Sequence, residues 1–242
     1  MKDKIIRLVT RILFFIFLVL FIYSGYHIID WKINNRNNKK INETLHEYIS
    51  TDSNEKYNID FDKLKSINSD TVAYLKVNNT NIDYVVVRGS DNSYYLTHNF
   101  NKDNNKSGWI FMDYSNKLDG NDRNIVIYGH NTVDKSMFGS LKFILEPKWY
   151  KNPDNYIVTF VTPSGFEQYQ VFSTYKIDNE EYYITTSFNN DKTYLDFLKK
   201  IKSRSNFNYN VDVNENDHIL TLSTCANNGK KRVVLHAKKV VQ

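Results

Sequence analysis

The feature that most constrains this chain is an uncharged apolar stretch near its N-terminus. Residues 12–29 read ILFFIFLVLFIYSGYHII and include no Asp, Glu, Lys or Arg. A helix of this length is just long enough to cross the ~30 Å apolar core of a bilayer. The stretch ends without the A-x-A-like pattern of a cleavage site, which favours an uncleaved signal-anchor over a cleaved signal peptide. The remaining residues, about 200, suffice for one domain with a substantial core.

Charge is distributed unevenly between the anchor region and the rest of the chain. Residues 1–40 hold eight Lys or Arg and two Asp, a net charge of +6, whereas residues 41–242 carry −1. The basic excess therefore lies where anionic lipid can meet it, and the larger part of the chain has no electrostatic reason to bind a nucleic acid. Basic residues before the apolar stretch favour an N-terminus inside the cell. Others follow the stretch, so charge alone leaves the orientation open.

From residue 71 onward the chain consists mainly of short β-rich runs separated by Asn, Gly and Asp. The predicted strands are Val72–Val77, Ile82–Val87, Trp109–Phe111, Ile125–Tyr128, Tyr156–Val161, Phe166–Ile177, His218–Ser223 and Arg232–Val241. About eight short strands with such turns indicate an antiparallel barrel or sandwich, and we expect a mainly β fold with a closed barrel. Two helices should interrupt the strands, a brief one at Met137–Leu145 and an amphipathic one at Asp191–Ser203 on the barrel surface.

The polar segment before the strands carries apolar residues at helical spacing around Leu45 and Leu64. It is expected to form a tether with N-terminal helices. The predicted organisation is a cytoplasmic tail at 1–11, a transmembrane signal-anchor at 12–29, a tether with helices at 30–70 and a β-barrel at 71–242.

Three chemically active side chains are predicted at strand ends. Cys225, the one cysteine of the chain, ends a strand, His130 follows the strand Ile125–Tyr128, and Arg232 opens the last strand. Exported domains normally use cysteines in pairs, so a single one is either a liability or a reactive thiol. An imidazole can take the thiol's proton, and a guanidinium can stabilise the oxyanion formed when a thiolate attacks a carbonyl. Each residue alone also fits a structural role, as a buried thiol, a histidine in a turn or a solvated arginine.

The segments around the cysteine and the histidine resemble a known family. Leu222-Ser223-Thr224-Cys225 resembles the TLxTC signature of sortases, and Tyr128-Gly129-His130-Asn131 resembles their histidine segment. Met137-Phe138-Gly139-Ser140-Leu141 and the long helix Asp191–Ser203 resemble class B sortases in particular. The resemblance implies an eight-stranded β-barrel and a membrane-anchored cysteine transpeptidase of a Gram-positive bacterium.

The same resemblance implies a mechanism and a set of partners. Cys225 would attack the threonine carbonyl of a C-terminal sorting signal in a secreted protein, with His130 as general acid/base. Arg232 would hold the substrate or stabilise the oxyanion. An amine of a peptidoglycan precursor would resolve the thioester on the extracellular face of the cell membrane, and neither a cofactor nor a metal is implied. The residues of the substrate groove would be Asn92, Leu96, Tyr183, Ile184 and Ser223.

Two other functions stay open on the residues alone. A cell-envelope Cys/His peptidase would use the same groups, with water resolving the thioester. Such hydrolases usually place the cysteine before the histidine, whereas here His130 comes first. A membrane-anchored β-barrel that binds peptide or wall polymer without catalysis would keep its activity as Cys225→Ala. A zinc enzyme is not expected, because the six histidines form no HExxH motif and no close pair.

Overall fold

The computed structural model describes residues 2–52, 57–178, 180–225 and 231–240. Its strands are β1 (Ile49–Thr51), β2 (Tyr57–Ile59), β3 (Thr71–Val77), β4 (Asp83–Val87), β5 (Phe111–Met112), β6 (Asn124–His130), β7 (Ile157–Thr162), β8 (Gly165–Asp178), β9 (Ile219–Cys225) and β10 (Lys231–Lys239). Eight of these described strands close into a barrel in the order β10-β8-β7-β3-β4-β5-β6-β9, and β1 pairs with β2 separately. The predicted closed barrel is confirmed, with observed strand ends within two residues of the predicted ones. The expectation of antiparallel pairing throughout is wrong, because β4 runs parallel to β5 and β6 runs parallel to β9. Val241, the predicted end of the last strand, lies outside the described residues.

The pairing of β9 brings three strand ends to one rim of the barrel. β9 runs parallel to β6, from the pair Asn124–Ile219 to the pair His130–Cys225. On its other side β9 runs antiparallel to β10. The C-terminal ends of β6 and β9 therefore lie beside the N-terminal end of β10.

Helices surround the barrel at one end and on its surface. The helices are α1 (Lys2–Leu45), α2 (Phe61–Ile67), α3 (Pro147–Tyr150) and α4 (Asp191–Ser203), with 3₁₀ turns at His46–Tyr48, Tyr94–Leu96, Leu141–Leu145, Pro153–Tyr156 and Tyr182–Ile184. α4 has the predicted bounds, and its apolar face, which includes Tyr194, Leu198 and Ile201, is buried. The prediction of an amphipathic surface helix is therefore confirmed. Burial of one face stabilises such a helix more than its intrinsic propensity does.

The prediction of a helix at Met137–Leu145 is wrong in its type and in its start. Lys135 and Met137 adopt positive φ angles of 68° and 48°, which an α-helix does not contain. The backbone N–H of Met137 donates instead to the hydroxyl of Tyr84 on β4, at 2.9 Å. A 3₁₀ turn follows only at Leu141–Leu145. The contact with β4 thus outweighs the local helical tendency.

α1 is one continuous helix that leads from the apolar stretch onto the surface of the barrel. Its most apolar 18-residue window is fully exposed, and among the described residues α1 is the one helix long and apolar enough to cross a membrane. It is therefore a candidate membrane anchor. The tether expected from residue 30 is helical as far as Leu45. Asn35 and Asn38 on its inward face are buried, so contacts with the barrel hold this part of the chain in place.

Candidate active site

Cys225 occupies the central position at the rim where β6, β9 and β10 meet. It pairs with His130 in the parallel ladder. In the antiparallel ladder the last pair toward this rim is Val234–Ser223, and Arg232 lies two residues further along β10. Residues that pair directly occupy the same face of a sheet. The parallel register therefore sets Cys225 beside His130, and Arg232 lies at the same rim, beyond the last pair of the β9–β10 ladder.

His130 is buried, and one hydrogen bond fixes the state of its imidazole. Nε2 lies 2.7 Å from the backbone carbonyl oxygen of Leu96. Because a carbonyl only accepts, Nε2 carries the proton, and Nδ1 of the neutral ring keeps its lone pair. Nδ1 is buried without a hydrogen-bond partner among the described residues. Burial lowers the pKa of His130, although the bond to Leu96 opposes this shift. At neutral pH the ring is therefore uncharged, with its basic nitrogen at Nδ1.

A tight backbone contact sets the position of the Leu96 carbonyl and of the imidazole. Gly108 has a φ angle of 56°, and a Cβ on it would lie 2.9 Å from the Leu96 carbonyl oxygen and 3.0 Å from Cδ2 of His130. A side chain at this position would displace both groups. The absence of a side chain at Gly108 thus lets the loop close over the histidine.

Arg232 is half-buried and is held at the end of β9. Its Nη1 donates to the backbone carbonyl of Thr224 at 3.1 Å. Thr224 also accepts a hydrogen bond at Oγ1 from the backbone N–H of Val233, at 2.9 Å. These bonds tie the first residues of β10 to the residue that directly precedes Cys225, so the guanidinium stays beside the end of β9.

A cavity of about 520 Å³ opens at this rim, which is a volume typical of ligand sites. Its wall includes six residues predicted from the sequence, namely His130, Arg232, Asn92, Leu96, Tyr183 and Ile184. The other lining residues are Thr97, Lys106, Phe111, Tyr128, Glu180 and Glu181. The structure therefore brings residues from five separate segments of the chain to one concave surface beside the end of β9.

Ser223, the fifth predicted substrate residue, is not among the described residues that line the cavity. It is fully buried, and its hydroxyl lies 2.9 Å from the hydroxyl of Tyr183. Tyr183 in turn lines the cavity. Ser223 thus contacts a residue of the cavity wall and does not line the cavity itself. Its direct contact with a substrate stays a prediction.

Comparison with known proteins decides the family. The sortase domain family matches residues 75–240. The chain is 33% identical to sortase B of Staphylococcus aureus, over 98% of both chains. The fold is similar to that of sortase B from Bacillus anthracis in complex with AAEK1, with a TM-score of 0.77 at 32% identity, covering 87% of this chain and 99% of that one. For sortase B of Clostridium perfringens the TM-score is 0.70 at 39% identity, covering 75% and 100%. The chain belongs to the sortase family.

These relatives are class B sortases, and the chain is accordingly a class B cysteine transpeptidase. Within residues 2–52, 57–178, 180–225 and 231–240, no group of three or more His, Cys, Asp or Glu side chains is placed to hold a metal ion.

Asp113 is a residue of this sortase site that the sequence predictions missed. It is buried, and its Oδ2 accepts from the Tyr128 hydroxyl at 2.7 Å and from Nδ2 of Asn92 at 2.8 Å. Oδ1 of Asn92 accepts from the backbone N–H of Tyr114 at 3.0 Å. One carboxylate thus positions two residues of the cavity wall. Asp113 directly follows β5, and the strand-end position that pointed to the other site residues applied to it as well.

Asn124, at the start of β6, holds the segment that carries Tyr183 and Ile184. Its Nδ2 donates to the carbonyl of Thr185 at 2.9 Å. Its Oδ1 accepts from the hydroxyl of Thr221 on β9 at 2.6 Å. No sequence signal points to Asn124, because its partner Thr185 is 61 residues away along the chain.

Proposed function

We propose that this sortase cleaves a C-terminal sorting signal after its threonine, through a thioester on Cys225, and transfers the new C-terminus to a peptidoglycan amine. The sortase family implies substrates with sorting signals and a cell-wall amine as acceptor. The observation that carries the residue roles is the register of Cys225 with His130 across β6 and β9. The hydrogen bond from Arg232 to the carbonyl of Thr224, the residue directly before Cys225, supports the third role.

His130 acts as the base in the first half of the reaction. The Nε2–H bond to the Leu96 carbonyl leaves Nδ1 as the nitrogen that takes the thiol proton. The thiolate then attacks the threonine carbonyl carbon. When the tetrahedral intermediate collapses, the amide C–N bond breaks, and the leaving amine takes the proton from Nδ1. The product of this half is a thioester on Cys225.

Arg232 stabilises the negative charge that develops on the carbonyl oxygen or holds the substrate that carries it. A donor fixed before the reaction lowers the barrier without reorganisation. The bond from Arg232 to the Thr224 carbonyl supplies this fixation, because it keeps the guanidinium at the end of β9.

The second half repeats these steps with a different nucleophile. An amine of a peptidoglycan precursor gives a proton to His130 Nδ1 and attacks the thioester carbonyl. The C–S bond breaks and Cys225 leaves as thiolate, which regains the proton from the imidazolium. A new amide bond joins the secreted protein to the cell wall. Water in place of the amine would give hydrolysis, so that the acceptor decides the outcome.

The substrate segment before the threonine binds in the cavity beside the end of β9. Asn92, Leu96, Tyr183 and Ile184 line this cavity. Asp113 holds Asn92 by a hydrogen bond, and Asn124 holds the segment of Tyr183 and Ile184 by a hydrogen bond to the Thr185 carbonyl. The mixed polar and apolar lining suits an extended peptide, with backbone groups meeting polar atoms and side chains meeting Leu96 and Ile184.

The membrane topology follows from α1. We expect residues 12–29 to span the cell membrane once, with residues 1–11 inside and the barrel on the extracellular face. A single apolar span preceded by basic residues supports this orientation. Residues 12–29 would then contact membrane lipid.

The full chain in detergent micelles tests the reaction against a panel of pentapeptide signals. The panel varies the first and last positions around a Pro-x-Thr core, with and without a diamino acid or oligoglycine acceptor, and mass spectrometry follows the products. We expect cleavage after threonine, a thioester on Cys225 and a ligated product when acceptor is present. Cys225→Ala should yield none of these.

The outcomes separate the rival functions. Free acid as sole product at high acceptor concentration would contradict the transfer half and favour a hydrolase. Peptide binding that Cys225→Ala retains in full, without any covalent adduct on the wild type, would contradict catalysis altogether.

A further inference from the structure

A fully buried histidine that takes no part in the proposed mechanism lies in the barrel wall. It is His236 on β10. Its Nδ1 lies 2.8 Å from the hydroxyl of Thr221 on β9, and its Nε2 lies 2.8 Å from the hydroxyl of Tyr175 on β8. Both of these partners are buried as well. Because a buried polar group without a partner is costly, each group here constrains which of its neighbours donates and which accepts.

Two backbone carbonyls set the direction of the hydrogen bonds on one side of this histidine. Nδ2 of Asn124 lies 2.9 Å from the carbonyl oxygen of Thr185 and 3.4 Å from that of Tyr183. Since carbonyls only accept, the amide nitrogen faces them, and Oδ1 faces the hydroxyl of Thr221 at 2.6 Å. The single hydroxyl proton of Thr221 goes to Asn124, so its oxygen must accept from His236. Nδ1 of His236 therefore carries a proton.

The direction continues on the other side of the ring. Burial lowers the pKa of His236 to about 3, so the ring is neutral at pH 7 and its Nε2 accepts from the Tyr175 hydroxyl. The Tyr175 oxygen in turn accepts from the hydroxyl of Tyr182 at 3.4 Å. Every bond thus donates in the same direction, from the Tyr182 hydroxyl to the carbonyls of Tyr183 and Thr185. Hydrogen bonds in such a chain polarise and strengthen one another.

This circuit begins and ends on one short part of the cavity wall. We call residues 182–185 the wall segment. Tyr183 and Ile184 line the cavity, and the segment consists of a single 3₁₀ turn and the residue after it. Such a short element takes its position from its contacts with the barrel. His236 joins the arm that starts at Tyr182 to the arm that ends at Thr185, so it connects the segment to the barrel at both ends.

We propose that His236 is a positioning residue of this sortase, which closes the circuit of hydrogen bonds that fixes the wall segment where the peptide binds. It acts through Tyr175 on one side and through Thr221 and Asn124 on the other, without touching the peptide. The circuit requires the neutral tautomer with the proton on Nδ1, because a proton on Nε2 would reverse the bond to Tyr175. The inference rests on the proposed binding of the sorting-signal peptide in this cavity.

Steady-state kinetics of the full chain in detergent micelles test the role, with a Pro-x-Thr pentapeptide as substrate. His236→Leu removes both ring nitrogens and should raise KM about tenfold, the equivalent of one buried hydrogen bond, while kcat changes by less than about threefold. His236→Gln should recover most of this loss, because glutamine offers a donor and an acceptor to the same two hydroxyls.

A control variant separates the circuit from general stability. Leu235 is fully buried next to His236 on β10 and has no polar side-chain atom. Leu235→Ala should destabilise the barrel but keep the wild-type KM, when each variant is assayed at a temperature at which near-UV circular dichroism shows it folded. An equal rise of KM in Leu235→Ala and His236→Leu, a wild-type KM in His236→Leu, or no recovery in His236→Gln would overturn the proposal.

Tyr182→Phe decides the question where His236→Leu does not fold. It removes only the first donor of the circuit and keeps the ring, over which Nζ of Lys200 lies 3.7 Å from the centroid. KM should rise by a smaller factor than expected for His236→Leu, again at nearly constant kcat. A wild-type KM in Tyr182→Phe would overturn the circuit.

The tautomer is read directly from the wild-type protein by ¹⁵N NMR after histidine labelling, with His236→Gln to identify the signals. At pH 7 we expect a proton on Nδ1 of His236 and none on Nε2. A proton on Nε2, in the other neutral tautomer or in an imidazolium, would overturn the proposal. This measurement needs no substrate, so failure of the wild type to cleave the pentapeptide would instead contradict the proposed function.

Discussion

At the scale of single residues, the chemistry of the site depends on which nitrogen of His130 is basic. The carbonyl of Leu96 accepts from Nε2 and so leaves Nδ1 as the basic nitrogen, which takes the thiol proton in the proposed mechanism. Burial, the largest influence on this group, lowers its pKa. The same buried position therefore holds the ring in one tautomer and favours its uncharged form.

A pH–rate profile tests this state of His130. Protonation of Nδ1 removes the base, so kcat/KM should fall as the pH decreases, and the lowered pKa puts that loss below pH ~6.5, the ordinary value for histidine. The measurement is kcat/KM for the pentapeptide at saturating acceptor between pH 5 and 8. A half-loss of activity above the ordinary histidine value would contradict the assignment of Nδ1 as a neutral base.

Arg232 is tested by comparison with its neighbour. Arg232→Ala should reduce kcat/KM at least ~100-fold, as loss of an oxyanion donor does. Lys231→Ala is the matched control, because Lys231 is exposed and next to Arg232 on the same strand. Near-wild-type rates for Arg232→Ala in steady-state kinetics would show that backbone donors or a lysine perform this role.

The residue scale also shows how far sequence reasoning reaches. Cys225, His130 and Arg232 could be proposed as a group because each stands at the end of a β-rich run, and parallel or hairpin neighbours bring such ends together. The tautomer of His130 could not be predicted, because its partner is a backbone carbonyl 34 residues away along the chain, at Leu96. Every residue has such a carbonyl, so no sequence pattern distinguishes this one.

At the scale of elements, part of the cavity wall is a short 3₁₀ turn whose position depends on hydrogen bonds to the barrel. The 3₁₀ turn Tyr182–Ile184 has little regular structure of its own, and Asn124 connects it to the barrel through the Thr185 carbonyl. The position of the cavity wall at Tyr183 and Ile184 therefore depends on Asn124, a side chain of β6 that is not among the cavity-lining residues.

Asn124→Ala should raise KM for the peptide more than it lowers kcat. Without the Asn124 amide, the segment that carries Tyr183 and Ile184 is no longer held in place. The peptide then loses contacts with this segment that it makes equally in the ground state and the transition state. Steady-state kinetics over a range of peptide concentrations measures the split, with the exposed Asn121→Ala as control. A pure loss of kcat at constant KM would contradict the positioning role of Asn124.

α4 provides a prediction on stability alone. Asn190 accepts from the N–H of Thr193, and the Thr193 hydroxyl contacts the backbone of Asn190, which closes the N-terminus of the helix. Asn190→Ala should lower the free energy of unfolding by about 1 kcal/mol. Lys199→Ala, on the exposed face of α4, should change it by less than ~0.5 kcal/mol. Denaturant unfolding measures both values, and equal effects of the two substitutions would contradict the capping role.

The two helices predicted within the barrel region show what a local pattern can and cannot determine. α4 has a strong amphipathic pattern over thirteen residues and a capping residue, and the structure has it at the predicted bounds. Met137–Leu145 is shorter, and its start is determined by Tyr84 on a distant strand. A brief apolar run cannot reveal such a partner.

At the scale of the whole molecule, the barrel and α1 are joined by direct contacts. The closed barrel could be expected from eight short runs, but the attachment of α1 could not. The asparagines that form it look like tether residues in the sequence, and their burial becomes evident only with the loop around Gly108 in place. Polar residues that pack against a distant loop are thus easily taken for solvated ones.

The barrel wall also contains a buried imidazole that couples the stability of the whole fold to pH. His236 is fully buried between the Tyr175 and Thr221 hydroxyls, each 2.8 Å from a ring nitrogen. Burial lowers its pKa to about 3. Below pH ~6.5 the unfolded chain takes up a proton that the folded barrel excludes, so stability falls with decreasing pH between ~6.5 and about 3. His46 acts in the opposite sense, because its hydrogen bond to Asp83 raises its pKa and stabilises the fold below the ordinary histidine value.

His236→Gln should separate these contributions. Glutamine offers the two hydroxyls a donor and an acceptor but does not titrate, so the loss of stability on acidification should be shallower than in the wild type by up to ~1.4 kcal/mol per pH unit. His46→Gln should remove the gain in stability that acidification brings between the raised pKa of His46 and ~6.5, and should leave the slope below that range unchanged. Denaturant unfolding between pH 4 and 8, followed by near-UV circular dichroism of the buried Trp109 and Trp149, gives the slopes. A wild-type slope in His236→Gln would mean that the folded barrel admits the proton, and the excluded charge would then not contribute to acid unfolding.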